Sequence, residues 1–251
     1  LKNIHIISLV NKAFNLLGIK KFPLKLTINS HCLIGAGLGS SAALCTSILN
    51  VISKLKNRPL TKDKLHYLGK KLEHNIHGTS SGLDTAVISH NIPILYQQYK
   101  GVIKPFSIRA ITIKNIASHW PFILIDSGER SQTRDMIIKA KHFFMSSQGK
   151  KSIHDINKMS LNLTKTLIIG NYLKAAEIMQ FGQHILSLSG VSTKSIDNII
   201  HESIKLGALS AKITGAGGGG SVLALLDPKY YKQQFGLFQK KFGKESICTL
   251  F

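Results

Sequence analysis

Apolar residues recur every three or four positions in several stretches of the chain, and this spacing predicts helices. Residues 4–17 show it clearly and are followed by Gly18, where a helix is expected to stop. In the next such stretch, 41–56, one face is shared by Leu44, Ile48, Val51, Ile52 and Leu55, and we expect that face to be buried. The same spacing predicts a helix at 62–76, with Thr61 as its N-cap. It predicts further helices at 131–147, 153–168, 171–188, 193–207 and 228–241.

Other stretches alternate apolar and polar residues, which is the period of a half-buried strand. Residues 24–30, LKLTINS, follow this pattern, and 121–126, PFILID, is the clearest strand in a β-rich region from 92 to 125. Near the end of the chain, SAKITG and SVLALL predict two strands joined by a glycine turn, and ESICTLF predicts an edge strand. Strands at both ends with helices between them indicate an α+β fold in two lobes.

A glycine-rich loop, GAGLGSSAAL at 35–44, connects the predicted strand 24–30 to the predicted helix 41–56. Glycine lets backbone N–H groups approach a ligand, and the free amides at a helix start attract anions. Gly37, Gly39, Ser40 and Ser41 supply this geometry, and a serine hydroxyl there can ligate Mg²⁺ held by phosphates. The loop lacks the lysine of a Walker loop and the glycine spacing of a dinucleotide site. A plain turn with a serine N-cap is the alternative.

A second stretch, EHNIHGTSSGLD at 73–84, places two carboxylates on either side of a flexible turn. Phosphoryl transfer to an alcohol uses one carboxylate to hold Mg²⁺ and another to orient the hydroxyl or accept its proton. The alternatives are that Asp84 caps a helix beginning near Thr85 and that Glu73 is a surface acid. His74 and His77 do not have the metalloprotease order, so we expect His74 to face solvent.

A third stretch, KITGAGGGG at 212–220, contains four successive glycines. Each glycine costs conformational entropy on folding, so such a run indicates backbone that lies close to a ligand or to another backbone. A wide turn between two strands is the alternative.

The composition adds that the chain is strongly basic, with a net charge of +21 over 251 residues. This charge favours anionic ligands, but the lysines are spread singly or in pairs, so a specific nucleic-acid partner is not expected. The sequence shows neither a membrane-spanning apolar run nor a signal-peptide pattern, which predicts a cytoplasmic protein. Three scattered cysteines predict free thiols. The chain begins with Leu1, so we expect a processed product or a fragment.

Together the three stretches resemble the signature of the GHMP kinase superfamily, and most closely its branch that phosphorylates mevalonate. GAGLGSSAA resembles the phosphate-binding loop, HGTSSGLD the catalytic segment, and KLGALSAKITGAGGGG the third motif. IDSGERSQT and HILSLSGVST are weaker matches. The resemblance implies an ATP- and Mg²⁺-dependent phosphotransferase that acts on the 5-hydroxyl of mevalonate in isoprenoid precursor biosynthesis, and it allows a homodimer.

The resemblance also implies site residues by position. ATP is expected at Gly35, Gly37, Leu38, Gly39, Ser40, Ser41 and Ser81. Asp84 is expected to be the catalytic base or orienting carboxylate, and Ser41 with Glu73 to hold Mg²⁺. The substrate is expected at Thr133, Gly215, Ala216, Gly217 and Gly218. The implied fold is the two-lobed GHMP-kinase-like α+β arrangement with its N-terminal part truncated, with an ATP-binding lobe at 1–115 and a C-terminal lobe at 116–251.

The chain departs from the family pattern at three places. Leu33 and Ser80 stand where the family usually has proline, which loosens two turns without removing a reactive group. The family's first motif, with its substrate-binding lysine, has no counterpart here. Two alternatives therefore stay open beside the leading hypothesis: phosphomevalonate kinase or another kinase of the superfamily, and a catalytically inactive remnant.

Overall fold

The computed structural model describes residues 2–30, 33–77, 80–91, 94–99, 102–106 and 120–249. The chain divides into two compact units. The first unit consists of Leu1–Ile34 with Gly39–Arg109, and the second of Gly35–Leu38 with Ala110–Phe251. The predicted domain boundary between residues 115 and 116 lies outside the described residues and stays a prediction.

The first unit is mainly helical. Its elements are α1 (Lys2–Leu17), α2 (Ser40–Leu55), α3 (Lys62–His77), α4 (Leu83–His90) and the antiparallel strands β1 (Leu95–Tyr99) and β2 (Val102–Phe106). The predicted helices at 4–17, 41–56 and 62–76 are confirmed. Thr61 caps α3 as expected, because its Oγ1 accepts a hydrogen bond of 3.3 Å from the backbone N–H of Lys64.

The core of this unit lies among α1, α2 and α3, where Phe14, Leu49 and Leu72 are buried. On α2 the predicted buried face is confirmed in part, since Ile48 and Ile52 are buried and Leu44 packs against the core. Val51 and Leu55 are 40% and 54% exposed, because the apolar stripe that meets α1 and α3 runs through Cys45, Ile48, Leu49 and Ile52.

The predicted strand at 24–30 is wrong, since this segment has no regular secondary structure. The alternation of apolar and polar residues does match the burial of the side chains, because Leu24 and Leu26 pack against the core while Lys25 and Thr27 are exposed. A strand also needs a hydrogen-bonded neighbour, and none pairs with this segment within the described part of the chain.

The second unit is built on a four-stranded antiparallel sheet in the order β4-β5-β3-β6. Its strands are β3 (Phe122–Asp126), β4 (Ser210–Ile213), β5 (Ser221–Leu225) and β6 (Ile247–Thr249). Its helices are α5 (Thr133–Met145), α6 (Ser147–Ile169), α7 (Tyr172–Leu188), α8 (Lys194–Lys205) and α9 (Tyr231–Phe242), followed by a 3₁₀ turn at Lys244–Ser246. The predicted helices, the strand–turn–strand and the edge strand are confirmed.

Both faces of this sheet are covered. Alternate residues of β5 enter two different apolar clusters: Val222 packs with Ile196 of α8 and Phe238 of α9, whereas Leu225 packs with Ala175 of α7. The resulting layers hold the turn between β4 and β5 at one end of the sheet.

No helix within the described residues is both long and apolar enough to cross a bilayer.

Candidate active site

The glycine loop ends where α2 begins. Gly35, Gly37 and Gly39 all have a positive φ, at 72°, 75° and 70°. Gly39 is the N-cap residue of α2 and has no side chain to accept hydrogen bonds from the first turn, which starts with Ser40 and Ser41. The amides and the positive end of this 16-residue helix can therefore receive an anion.

Asp84 lies beside this helix start. A Cβ atom placed on Gly39 would be 3.4 Å from Cγ and 3.7 Å from Oδ2 of Asp84. The N-cap of α4 is Gly82, and Asp84 is exposed in the first turn of that helix. Asp84 thus does not act as the N-cap, and the fold brings its carboxylate to the end of the glycine loop.

Glu73 is buried on α3 and is only 6% exposed, so the alternative that it is a surface acid is wrong. The Ser80 hydroxyl donates a hydrogen bond of 2.6 Å to Oε2 of Glu73. Burial, with a further contribution from the charge of Glu73, raises the pKa of the Cys45 thiol to about 12. A buried carboxylate with a hydroxyl donor is a group that a cation would stabilise.

The two predicted Mg²⁺ ligands lie on neighbouring helices of this unit, Ser41 on α2 and Glu73 on α3. Their hydroxyl and carboxylate oxygens are the donors that Mg²⁺ prefers, so these residues fit the ion. No cluster of three His, Cys, Asp or Glu side chains occurs in the part of the chain that the structure describes. His74 is exposed as predicted.

Ser81 begins the turn that leads into α4. Its Oγ accepts a hydrogen bond of 3.2 Å from the backbone N–H of Leu83, and the residue is exposed. Ser81 directly precedes Gly82, the N-cap of α4, and lies three residues before Asp84 along the chain.

The third motif contacts the first part of the glycine loop within the second unit. A Cβ atom on Gly37 would lie 2.6 Å from the carbonyl oxygen of Thr214, and one on Gly215 would lie 2.7 Å from Cα of Gly37. Only backbone without side chains can approach so closely. The backbone N–H of Ser221 also donates to the carbonyl of Ala36 at 3.0 Å. The alternative of a plain wide turn is therefore wrong, because the turn packs on the loop.

The segment after β3 encloses the same glycine turn. The Ser131 hydroxyl donates to the carbonyl of Gly217 at 2.8 Å, and the N–H of Gly220 donates to the carbonyl of Glu129 at 2.9 Å. A Cβ on Gly218 would lie 2.6 Å from Oγ of Ser131. Ala216, between these glycines, is half-buried.

An ion pair stiffens this segment. Arg130 donates two hydrogen bonds of 2.7 Å to Asp126, and this guanidinium holds the pKa of the Asp126 carboxyl below its usual value. The aliphatic part of Arg130 lies against Gly35, where a Cβ would be 3.0 Å from Cδ. Thr133 is the exposed first residue of α5, at the end of this segment.

Sequence reasoning did not single out four residues that hold these structures: Ser80, Tyr96, Arg130 and Ser131. Arg130 and Ser131 lie inside IDSGERSQT, which is a weak match to the family and indicates no role for either residue. Ser80 stood out only as a departure from the family pattern. Tyr96, whose hydroxyl donates to the carbonyl of Ser81 at 2.5 Å, gave no sequence signal.

The glycine loop, the carboxylate segment and the glycine turn define the class of protein. Residues 5–91 match the family model described as GHMP kinases N terminal domain, and residues 163–238 match the one described as GHMP kinases C terminal. The chain belongs to the GHMP kinase family, a family of phosphotransferases.

Several proteins that are similar to this chain are mevalonate kinases. The mevalonate kinase of Thermococcus sibiricus is 31% identical over 241 residues, which are 91% of this chain and 68% of the relative. Among solved structures, the mevalonate kinase of Methanococcus jannaschii matches with a TM-score of 0.77 at 23% identity, over 94% of this chain and 71% of that one. The L. major mevalonate kinase in complex with R-mevalonate also gives 0.77, at 20% identity, over 99% and 76%. The chain spans 62% to 68% of three curated mevalonate kinases.

Proposed function

We propose that the protein to which this chain belongs is a mevalonate kinase, which transfers the γ-phosphate of ATP to the 5-hydroxyl of mevalonate. The observation that carries the proposal is that the carboxylate of Asp84 lies close to Gly39, the N-cap of α2: a Cβ placed on Gly39 would be 3.4 Å from Cγ of Asp84. A phosphate held at that helix start would lie beside a carboxylate able to receive the proton of an attacking alcohol. The similarity to mevalonate kinases supports the choice of acceptor.

The proposed role of the glycine loop is to hold the triphosphate. The proposed phosphate-binding residues are Gly35, Gly37, Leu38, Gly39 and Ser40, which lead up to and begin α2. The dipole of α2 stabilises negative charge there without a lysine in the loop. Ser41, in the first turn of α2, and Ser81, just before the N-cap of α4, add hydroxyl groups. The high positive charge of the chain is consistent with an anionic nucleotide and a carboxylate substrate.

Asp84 is the proposed base. As the hydroxyl oxygen of the acceptor forms its bond to the γ-phosphorus, the bond from that phosphorus to the β,γ-bridging oxygen breaks and ADP leaves. The hydroxyl proton passes to the Asp84 carboxylate. A carboxylate in this position also aligns the hydroxyl before the bond forms, which lowers the entropic part of the barrier.

Glu73 and Ser41 are the proposed magnesium ligands. When bound, Mg²⁺ neutralises charge on the β- and γ-phosphates. Oε2 of Glu73 is already fixed by Ser80, so the carboxylate keeps one orientation on α3. Glu73→Gln is expected to raise the Mg²⁺ concentration needed for half-maximal rate, whereas Glu177→Gln, on an exposed surface of α7, should leave it unchanged. An unaltered Mg²⁺ dependence in Glu73→Gln would remove Glu73 from the proposal.

The third motif and the start of α5 are the proposed acceptor contacts. The proposed contact residues are Gly215, Ala216, Gly217, Gly218 and Thr133. Of these, Gly217 accepts a hydrogen bond from Ser131 of the segment 126–133, and Thr133 ends that segment. We propose that the enzyme is cytoplasmic and assembles as a homodimer. We propose no nucleic-acid or membrane partner.

Acceptor specificity tests the proposal. The full-length protein is incubated with ATP and Mg²⁺ and with either mevalonate or phosphomevalonate, and ADP release is followed for each. We expect turnover with mevalonate and none above background with phosphomevalonate. Preference for phosphomevalonate would reassign the enzyme, and ATP binding without turnover of either acceptor would support an inactive remnant.

A further inference from the structure

The catalytic segment, defined here as residues 80–84, is held partly by bonds within itself. The Ser80 hydroxyl oxygen accepts from the N–H of Gly82 at 3.2 Å, and the Ser81 hydroxyl oxygen accepts from the N–H of Leu83 at 3.2 Å. Such short-range bonds shape a turn, but they do not fix it against the rest of the unit.

Two consecutive carbonyl groups of the segment are held by other side chains. The carbonyl of Gly82 accepts from the Thr85 hydroxyl at 3.0 Å, and Nδ1 of the buried His66 lies 3.1 Å from the same hydroxyl oxygen. Because a hydroxyl has a single proton, Nδ1 of His66 must be the donor to Thr85. This arrangement ties the Gly82 carbonyl to α3.

The carbonyl of Ser81 is held from β1. The Tyr96 hydroxyl donates to it at 2.5 Å. Gly82 makes room for this contact, since a Cβ there would lie 2.9 Å from the Tyr96 hydroxyl oxygen and 2.8 Å from Cδ of Lys70. Gly82 is the N-cap of α4, and Asp84 follows in the first turn.

We propose that Tyr96 is a positioning residue, whose hydroxyl fixes the Ser81 carbonyl and thereby the start of α4 that carries Asp84. The inference rests on the proposed function for its effect on the reaction. Movement of the Ser81 carbonyl would change the peptide plane next to the N-cap, and the direction of the Asp84 side chain depends on that first turn. Small displacements of a catalytic group are costly in rate.

The Tyr96 hydroxyl is suited to this task because it stays protonated. Desolvation raises its pKa to about 12, so it remains a donor across the working range of pH. Nothing in this role requires Tyr96 to touch the substrate.

Tyr96→Phe tests the proposal because it removes the hydroxyl and keeps the ring. Tyr67→Phe is the matched control, since Tyr67 is on α3 in the same unit, is 51% exposed and has its ring beside Lys71. In the full-length protein, hydrogen exchange of a peptide covering residues 80–84 is measured for both variants. We expect exchange at least about fivefold faster in Tyr96→Phe and unchanged in Tyr67→Phe, as the loss of one hydrogen bond predicts.

Kinetics then connect the segment to the reaction. In Tyr96→Phe, kcat should fall about five- to tenfold, the equivalent of one hydrogen bond, while the KM values for ATP and acceptor stay within about twofold. Unchanged exchange would overturn the inference whatever the activity, and so would faster exchange with an unchanged kcat. A lower melting temperature with kcat and KM altered together would indicate a structural role instead. An inactive wild-type protein contradicts the proposed function, whereas exchange still decides whether Tyr96 holds the segment.

Discussion

Substituting Gly37 with alanine tests the packing of the glycine loop on the third motif. Gly37 has a φ of 75°, and its Cβ would meet the carbonyl oxygen of Thr214 at 2.6 Å, closer than real Cβ atoms approach. Alanine in the left-handed region costs about 1–2 kcal/mol of the free energy of unfolding. Forcing a methyl group against fixed backbone adds about 1–3 kcal/mol, as overpacking generally does.

Gly170→Ala isolates the first of these costs. Gly170 has a φ of 72°, nearly the same as that of Gly37, and no atom lies within 4 Å of its Cβ position. Both glycines belong to the second unit. The difference between the two variants therefore measures the contact with Thr214 rather than the backbone conformation.

Urea unfolding followed by the fluorescence of Trp120 is the assay. Trp120 is the single tryptophan of this chain, is 4% exposed, and lies in the second unit, so its signal reports on the unit that contains both glycines. We expect Gly170→Ala to lose about 1–2 kcal/mol and Gly37→Ala about 2–5 kcal/mol. Equal losses in the two variants would refute the close approach of the loop and the turn.

Three further predictions follow from buried or charged groups. Phe238→Ala should lower the free energy of unfolding by about 3–5 kcal/mol in urea, because the ring is fully buried, and a loss below 1 kcal/mol would contradict its place in the core. Cys45 should resist iodoacetamide at pH 8 in the folded protein while the exposed Cys248 reacts, which peptide mass mapping checks. Arg130→Gln should raise the pKa of Asp126 in a carbon-13 NMR titration, and an unshifted titration would contradict the ion pair. In the wild type, the stability that comes from the lowered pKa is present above the usual value of 3.8 and is lost as the pH falls through the folded-state value.

Local sequence signals predicted the elements of this fold well where the pattern itself specifies the structure. Helical spacing and a threonine cap were enough to predict α3. Two apolar runs around a glycine turn were enough to predict β4 and β5. The segment 24–30 shows the limit, because alternation fixes which side chains face the core but does not supply a pairing strand.

Local sequence signals also identified candidate site residues, but they did not predict how buried these residues are or which groups they contact. The burial of Glu73 depends on how α3 packs in the first unit, and an acidic residue in a lysine-rich helix gives no sign of it. The Ser80 bond to Glu73 joins residues on either side of a turn. Tyr96 contacts the carbonyl of Ser81, and a tyrosine in a strand gives no sequence signal of that contact.

The role of Asp84 is the central claim, and Asp84→Asn in the full-length protein tests it most directly. The substitution keeps the size of the side chain and removes its ability to take a proton. With ATP, Mg²⁺ and mevalonate, we predict that phosphoryl transfer falls by about 10²–10⁴-fold while calorimetric ATP binding stays within about twofold of the wild type. Transfer at a near-normal rate in Asp84→Asn would contradict the account.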